Sequence, residues 1–156
     1  MRENMGLYRG KRKDTGEWVE GNLFENDNGN YPMVLIGYII MSRDKHFQQD
    51  LNFDGYDLVE VDSETVGQFT GLTDLHGKKI FEGDIIKIRF ESDSFTHPAE
   101  PIVWYDIAKV FWSSEHFGWY AAFASGEELS LWEYDDPDDV EIVGNIHDNP
   151  ELEVSK

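Results

Sequence analysis

Glycine, aspartate and asparagine interrupt this chain so often that its apolar runs are left only strand-sized. The densest case is Val66 to Ile86, VGQFTGLTDLHGKKIFEGDII, which sets two short apolar runs around a polar connector holding Gly71, Asp74 and Gly77. The same punctuation returns at Val143 to Leu152, VGNIHDNPEL. Glycine reaches backbone conformations closed to other residues, and Asp or Asn side chains bond nearby amides, so each such step predicts a bend. The runs between bends are rich in β-branched and aromatic residues, and none carries a sustained helical stripe.

Leu7 to Lys13 and Trp18 to Phe24 flank Asp14-Thr15-Gly16, a hairpin signal. Met33 to Met41 is almost continuously apolar, as in a strand covered on both faces. Ser42 to Gly55 reads as loop and Tyr56 to Val61 as strand, with Ser63 capping a turn into Thr65 to Phe69. After Ile80-Phe81, the run Ile85 to Phe90 places Ile86, Ile88 and Phe90 in alternation with Lys87 and Arg89, the period of a half-buried strand. Val103 to Trp112, Gly118 to Ala124, Leu129 to Trp132 and Val140 to Ile146 follow. Around nine short strands at this spacing predict a mainly β protein, its antiparallel strands in a barrel-like or two-lobed arrangement with little helix. Residues 1–156 read as one domain, with any boundary between lobes near 91–101, where Pro98 and Pro101 punctuate a polar break.

Within this frame the bends have local roles. Gly67 and Gly71 hold Phe69 between two joints, as where a strand turns a barrel corner. Gly83-Asp84 starts a coiled strand, with the carboxylate accepting freed amides. Gly144 precedes His147-Asp148-Asn149-Pro150, which reads as a strand end followed by an Asx-type turn.

Composition removes several chemistries. The chain has no Cys, which excludes disulfides, thiolate metal sites and a cysteine nucleophile. No apolar segment follows the basic N-terminal residues, and Met33 to Met41 is far short of the ~20 residues a spanning helix needs. A cytoplasmic protein without membrane contact is expected. The net charge is −19, yet five of the 13 basic residues (Arg2, Arg9, Lys11, Arg12, Lys13) fall at the N-terminus. From Glu91 to Val154 there are 16 acids and one base, Lys109. That half repels phosphate backbones, so direct nucleic-acid binding is disfavoured. The basic segment either meets an acidic surface of a neighbouring subunit or partner, or blunts an edge strand from Tyr8 to Lys13.

Five histidines (His46, His76, His97, His116, His147) show no metal-ligand spacing. His147 and Asp148 would form a ligand cluster with Asp84 or His76 only if the two glycine-rich blocks meet in space; otherwise His147 fastens the C-terminal turn. The acidic run Asp135, Asp136, Asp138, Asp139 with Glu141 lacks the alternation and central glycine of a calcium loop. No nucleophile elbow or phosphate loop occurs. Trp104, Trp112, Trp119 and Trp132 lie in the acidic half with Tyr105, Phe111, Phe117, Tyr120 and Phe123. Rings among acids suit a protein interface or a cationic ligand. Structurally they suit the core of a β unit, and that reading is preferred, with one or two rings exposed.

Three segments together resemble one family: Tyr8 to Phe24 (YRGKRKDTGEWVEGNLF), the VGQFTGLTD…GKKIFEGDII block, and VGNIHDNPEL. They resemble the YopX family of small phage and prophage proteins, at the start, middle and end of the chain. The resemblance implies a mainly β, phage-encoded protein that assembles as a homo-oligomer. It implies no reaction, no cofactor and no catalytic residue. Asn30 to Asn52 and Glu91 to Asp139 match no motif of that family. The expected function is a non-enzymatic module that binds itself or a host or phage protein. An acidic mimic of DNA that occupies a DNA-binding protein, and a metal protein or enzyme built on His147, Asp148 and Asp84, are the alternatives.

Overall fold

The computed structural model describes residues 6–26, 33–43, 51–92, 101–133 and 137–152. It contains eleven strands among them: β1 (Leu7–Lys11), β2 (Trp18–Asn26), β3 (Met33–Arg43), β4 (Leu51–Glu60), β5 (Gly67–Thr73), β6 (Lys79–Phe81), β7 (Asp84–Ser92), β8 (Ile102–Ser113), β9 (Gly118–Phe123), β10 (Glu128–Ser130) and β11 (Val140–Asn145). The helical elements among the described residues are single 3-10 turns. The mainly β expectation holds, and the strands form two antiparallel sheets rather than a closed barrel. The chain makes two compact units, Met1–Phe69 and Thr70–Lys156, and the division falls inside β5. The polar break at 91–101 is therefore not a boundary: it joins β7 to β8 within the second unit, and residues 93–100 lie outside the described ones.

In the first unit the strand order is β4-β3-β2-β1-β5. The β1–β2 hairpin closes as its sequence demands. The Gly16 amide reaches the Arg12 carbonyl, the Arg12 amide reaches Glu17, and the Arg12 guanidinium grips Asp14 at 2.8 and 2.7 Å. β1 is flanked by β2 on one side and by Gly67 and Gln68 of β5 on the other. It is thus an interior strand, and its basic residues do not blunt an edge. Arg9 and Lys11 instead lie over the Trp18 ring at 4.7 and 5.4 Å. The predicted loop at Ser42 to Gly55 is strand at both ends, where β3 continues to Arg43 and β4 begins at Leu51, and residues 44–50 lie outside the described ones. Long cross-strand pairing outweighs the polar, glycine-bearing composition there. Ile36 and Val61, both buried, close over the bare backbone of Gly10. The turn before β5 is capped by Asp62, whose carboxylate accepts the Glu64 amide, rather than by Ser63.

The second unit has the order β10-β9-β8-β7-β11, with β6 beside β5. The alternation read in β7 is real: Ile86 and Ile88 are fully buried, Lys87 and Arg89 are half-exposed. They join Ile80, Ala108, Val110, Trp119, Ala121, Phe123, Leu131 and Val140 in one core. Leu72, Phe90, Leu129 and Ile142 pack at its margin.

Candidate functional site

The two glycine-rich blocks do come together. β11 runs antiparallel to β7 with Asn145 opposite Asp84 and Gly144 opposite Ile85, across an irregularity between Ile142 and Gly144. Gly83 has φ +82°, its N–H donates to the Val110 carbonyl and its carbonyl accepts the Ile146 amide at 2.9 Å. The buried Asp84 carboxylate accepts the Phe81 amide at 2.8 Å, so this Asp turns the chain between β6 and β7. A Cβ on Gly83 would lie 4.0 Å from His147 Nε2, which sets the histidine ring beside this turn.

The closing turn is organised by Asn145. Its Oδ1 accepts the amides of His147 and Asp148, and its Nδ2 donates to Asp148. Asn149 completes the knot: its Oδ1 accepts the Asn145 amide at 3.3 Å and its own amide returns to the Asn145 carbonyl. Gly144 is bare because a Cβ there would press on the Asn149 side chain. The expected Asx-type turn is present, but it is centred on Asn145, two residues earlier than His147. The Gly-Asn step is the readable signal for it.

Gly67 pairs with Arg9 at the start of β5, and Gly71 is exposed on the same strand. Gly71 has φ +91°, so β5 does carry a glycine joint there, but in an open sheet and not at a barrel corner. Among the described residues no group of three or more His, Asp or Glu is placed to hold a metal ion. His46, His97, Asp135 and Asp136 lie outside the described residues. Asp139 faces Arg89 at 3.4 Å, and Glu141 pairs with Lys87 and approaches His76 at 3.7 Å. The Lys87 hydrogen bond and charge hold the Glu141 carboxyl below the ordinary range, with a smaller contribution from His76.

In sequence Asp74 is only part of a bending connector, yet its carboxylate is buried and accepts three backbone amides. It is 2% exposed, and accepts the amides of His76 and Lys78 at 2.9 Å each and of Ile142 at 3.2 Å. Burial alone would push this carboxyl up; the amides of Lys78, Ile142 and His76 outweigh it and hold the group below the usual carboxylate value. Together with the Leu75 amide on the Val140 carbonyl, Asp74 ties the β5–β6 connector to β11. Its role is architectural.

The surface that stands apart is the outer part of β8. All six residues at 102–107 are exposed, among them Ile102, Val103, Trp104, Tyr105 and Ile107. A single strand alternates in and out, so exposure at six consecutive positions means that neither face is covered. The expected aromatic core is corrected here. Trp119 and Phe123 are buried, but Trp104, Tyr105, Trp112, Phe117 and Trp132 are exposed, many more than one or two rings. Composition cannot separate these cases, because it does not say where flanking strands end.

On the core side of this segment opens a groove of about 430 Å³, lined by Phe90, Trp104, Asp106, Phe123, Glu127, Glu128 and Leu129. Phe90 and Trp104 stack at 5.5 Å with 13° between their planes, and Phe123 stands 6.1 Å from Phe90. The groove is an aromatic floor with three carboxylates around it. A Lys or Arg head placed there would meet ring faces and negative charge together.

A family model described as YopX protein matches residues 7–152. The chain belongs to the YopX family. No curated protein matches this YopX-family chain. The crystal structure of protein EF1440 from Enterococcus faecalis resembles it in fold, with a TM-score of 0.57 and 20% identity, over 96% of this chain and 99% of that one. The glycine and Asx residues of the YopX resemblance thus account for the Asp84 and Asn145 turns. The exposed strand and its groove lie within the residues that the family model matches, outside the three segments that carry the resemblance.

Proposed function

We propose that this YopX-family protein is a non-enzymatic binding module, encoded by a phage or prophage and acting in the bacterial cytoplasm. It associates with a second protein chain, its own copy or a host or phage protein, through the outer β7–β8 ribbon. The supporting observation is the six-residue exposed stretch of β8, in which five residues are large and apolar. A two-stranded ribbon with bare apolar faces is poorly stable in water and gains from being covered. The structure of the glycine-rich turns supports the same reading, since Asp74, Asp84 and Asn145 spend their side chains on backbone amides.

The test compares the wild type with Ile102→Asp/Tyr105→Asp protein by light scattering and by retention of proteins from host lysate. Self-association, or specific retention, that the double substitution removes supports the module. A wild type that stays monomeric and retains the same lysate proteins as the doubly substituted chain defeats it.

A further inference from the structure

Among the described residues the outer part of β8 is open along one edge as well as on its faces. β7 pairs with residues 102–109 of β8, whereas β9 pairs only with residues 108–113. The Val110 carbonyl bonds the Gly83 amide on the β7 side, so by alternation the main-chain groups of Val103, Tyr105 and Ile107 point away from β7. Among the described residues no strand lies there. Among those residues the Ile107 amide is met by the carboxylate of its own neighbour, Asp106, at 2.8 Å. β9 ends at Phe123, opposite Ala108, and turns back through a bend closed by Phe123 and Glu127. An added strand on the open edge would therefore prolong the line of β9, with alternate side chains entering the groove of Phe90, Trp104, Asp106, Glu127 and Glu128.

Three carboxylates line that groove, Trp104 leaves 47% of its surface to solvent beside Phe90, and the chain as a whole carries −19. Charge complementarity selects a cationic occupant. We propose that the open β8 edge and this groove form one docking site for an extended basic peptide segment, paired with Val103, Tyr105 and Ile107 and seating an arginine or lysine between Trp104 and the carboxylates of Asp106, Glu127 and Glu128. This rests on the binding-module reading and specifies the partner's chemistry. The groove has room for such a side chain.

The probe is the blocked peptide Val-Arg-Val-Arg-Val, titrated calorimetrically into the full chain. Binding is expected to weaken about tenfold when both arginines become citrulline. A similar loss is expected when the pairing amides of the peptide are N-methylated, and in Asp106→Asn/Glu127→Gln/Glu128→Gln protein, which keeps an acceptor for the Ile107 amide. Equal binding of the arginine and citrulline peptides, or no binding, overturns the proposal. A wild type already dimerised through this edge, excluding the peptide, also overturns it. If the peptides fail while Ile102→Asp/Tyr105→Asp still abolishes association, the ribbon remains a binding surface and only its basic partner is lost.

Discussion

The two parts of β8 are made from similar residues and live in opposite environments. Residues 108–113 lie against β9 along their whole length, and there Ala108 and Val110 enter the core of the second unit. Residues 102–107 have, among the described residues, β7 on one side alone, and Trp104 and Tyr105 remain 47% and 59% exposed. Hydrophobicity is not what distinguishes them. A strand is buried by the elements that flank and cover it, and here that cover stops at Phe123 on β9 and at Val140 on β11.

The strongest contrast comes from placing the same charge in each part. Val110 is 1% exposed inside the core, so Val110→Asp buries an unpaired carboxylate and is expected to cost more than about 4 kcal/mol, enough to abolish cooperative unfolding in urea. Were Val110→Asp tolerated, the inner part would not be core and the comparison would collapse.

Next in size is the removal of a fastening that gives the inner part its lateral support. Asp74→Ala takes the acceptor away from the part-buried amide bonds of Lys78 and Ile142 and loosens β11, at an expected cost of about 2–4 kcal/mol. The carboxyl also predicts a pH dependence. Its folded value lies below the ordinary 3.8, so its contribution is fully present above that value and is lost as pH falls through the lower folded one. Urea midpoints between pH 6 and pH 3 should fall more steeply in the wild type than in Asp74→Ala. Parallel pH curves would show that this group does not set acid stability.

Gly83→Ala is expected to cost about 1–2 kcal/mol by thermal melting, because a side chain is strained at φ +82°. Space is not the obstacle, since the added carbon would meet Ile146 at an ordinary 3.4 Å. The effect is local to the turn that delivers its amide to Val110.

How much of this can be read from the chain follows from the range of each interaction. The β7 alternation, the β1–β2 hairpin and the bend at Gly83-Asp84 are written in residues a few positions apart, and the structure contains all three. Asp74 can be marked as a bend but not as an anchor, because its partner Ile142 is 68 positions away. Met33 to Met41 is legible as strand. Gly37 within it is not legible as a closest-approach point, where a methyl would overlap the Asp57 carbonyl, and where a methyl on Gly21 of β2 would press on the Gly37 backbone. The groove is half legible: rings among acids are visible in the sequence, but which rings face water depends on where β9 and β11 end.

The smallest expected stability change is in the outer part, and there it is the most informative. Ile102 and Tyr105 are 69% and 59% exposed, so Ile102→Asp/Tyr105→Asp should change the unfolding free energy measured in urea by less than about 0.5 kcal/mol for each substitution. Tyr105 loses its contact with Lys87, 5.6 Å from the ring, yet that ammonium keeps its pairing with Glu141. The same double substitution should remove the association that the ribbon provides. A fold left intact with binding removed separates the two parts of the strand by function. If instead these substitutions destabilised the protein as Val110→Asp does, the outer residues would be holding the fold together, and the surface assigned to a partner would belong to the protein's own core.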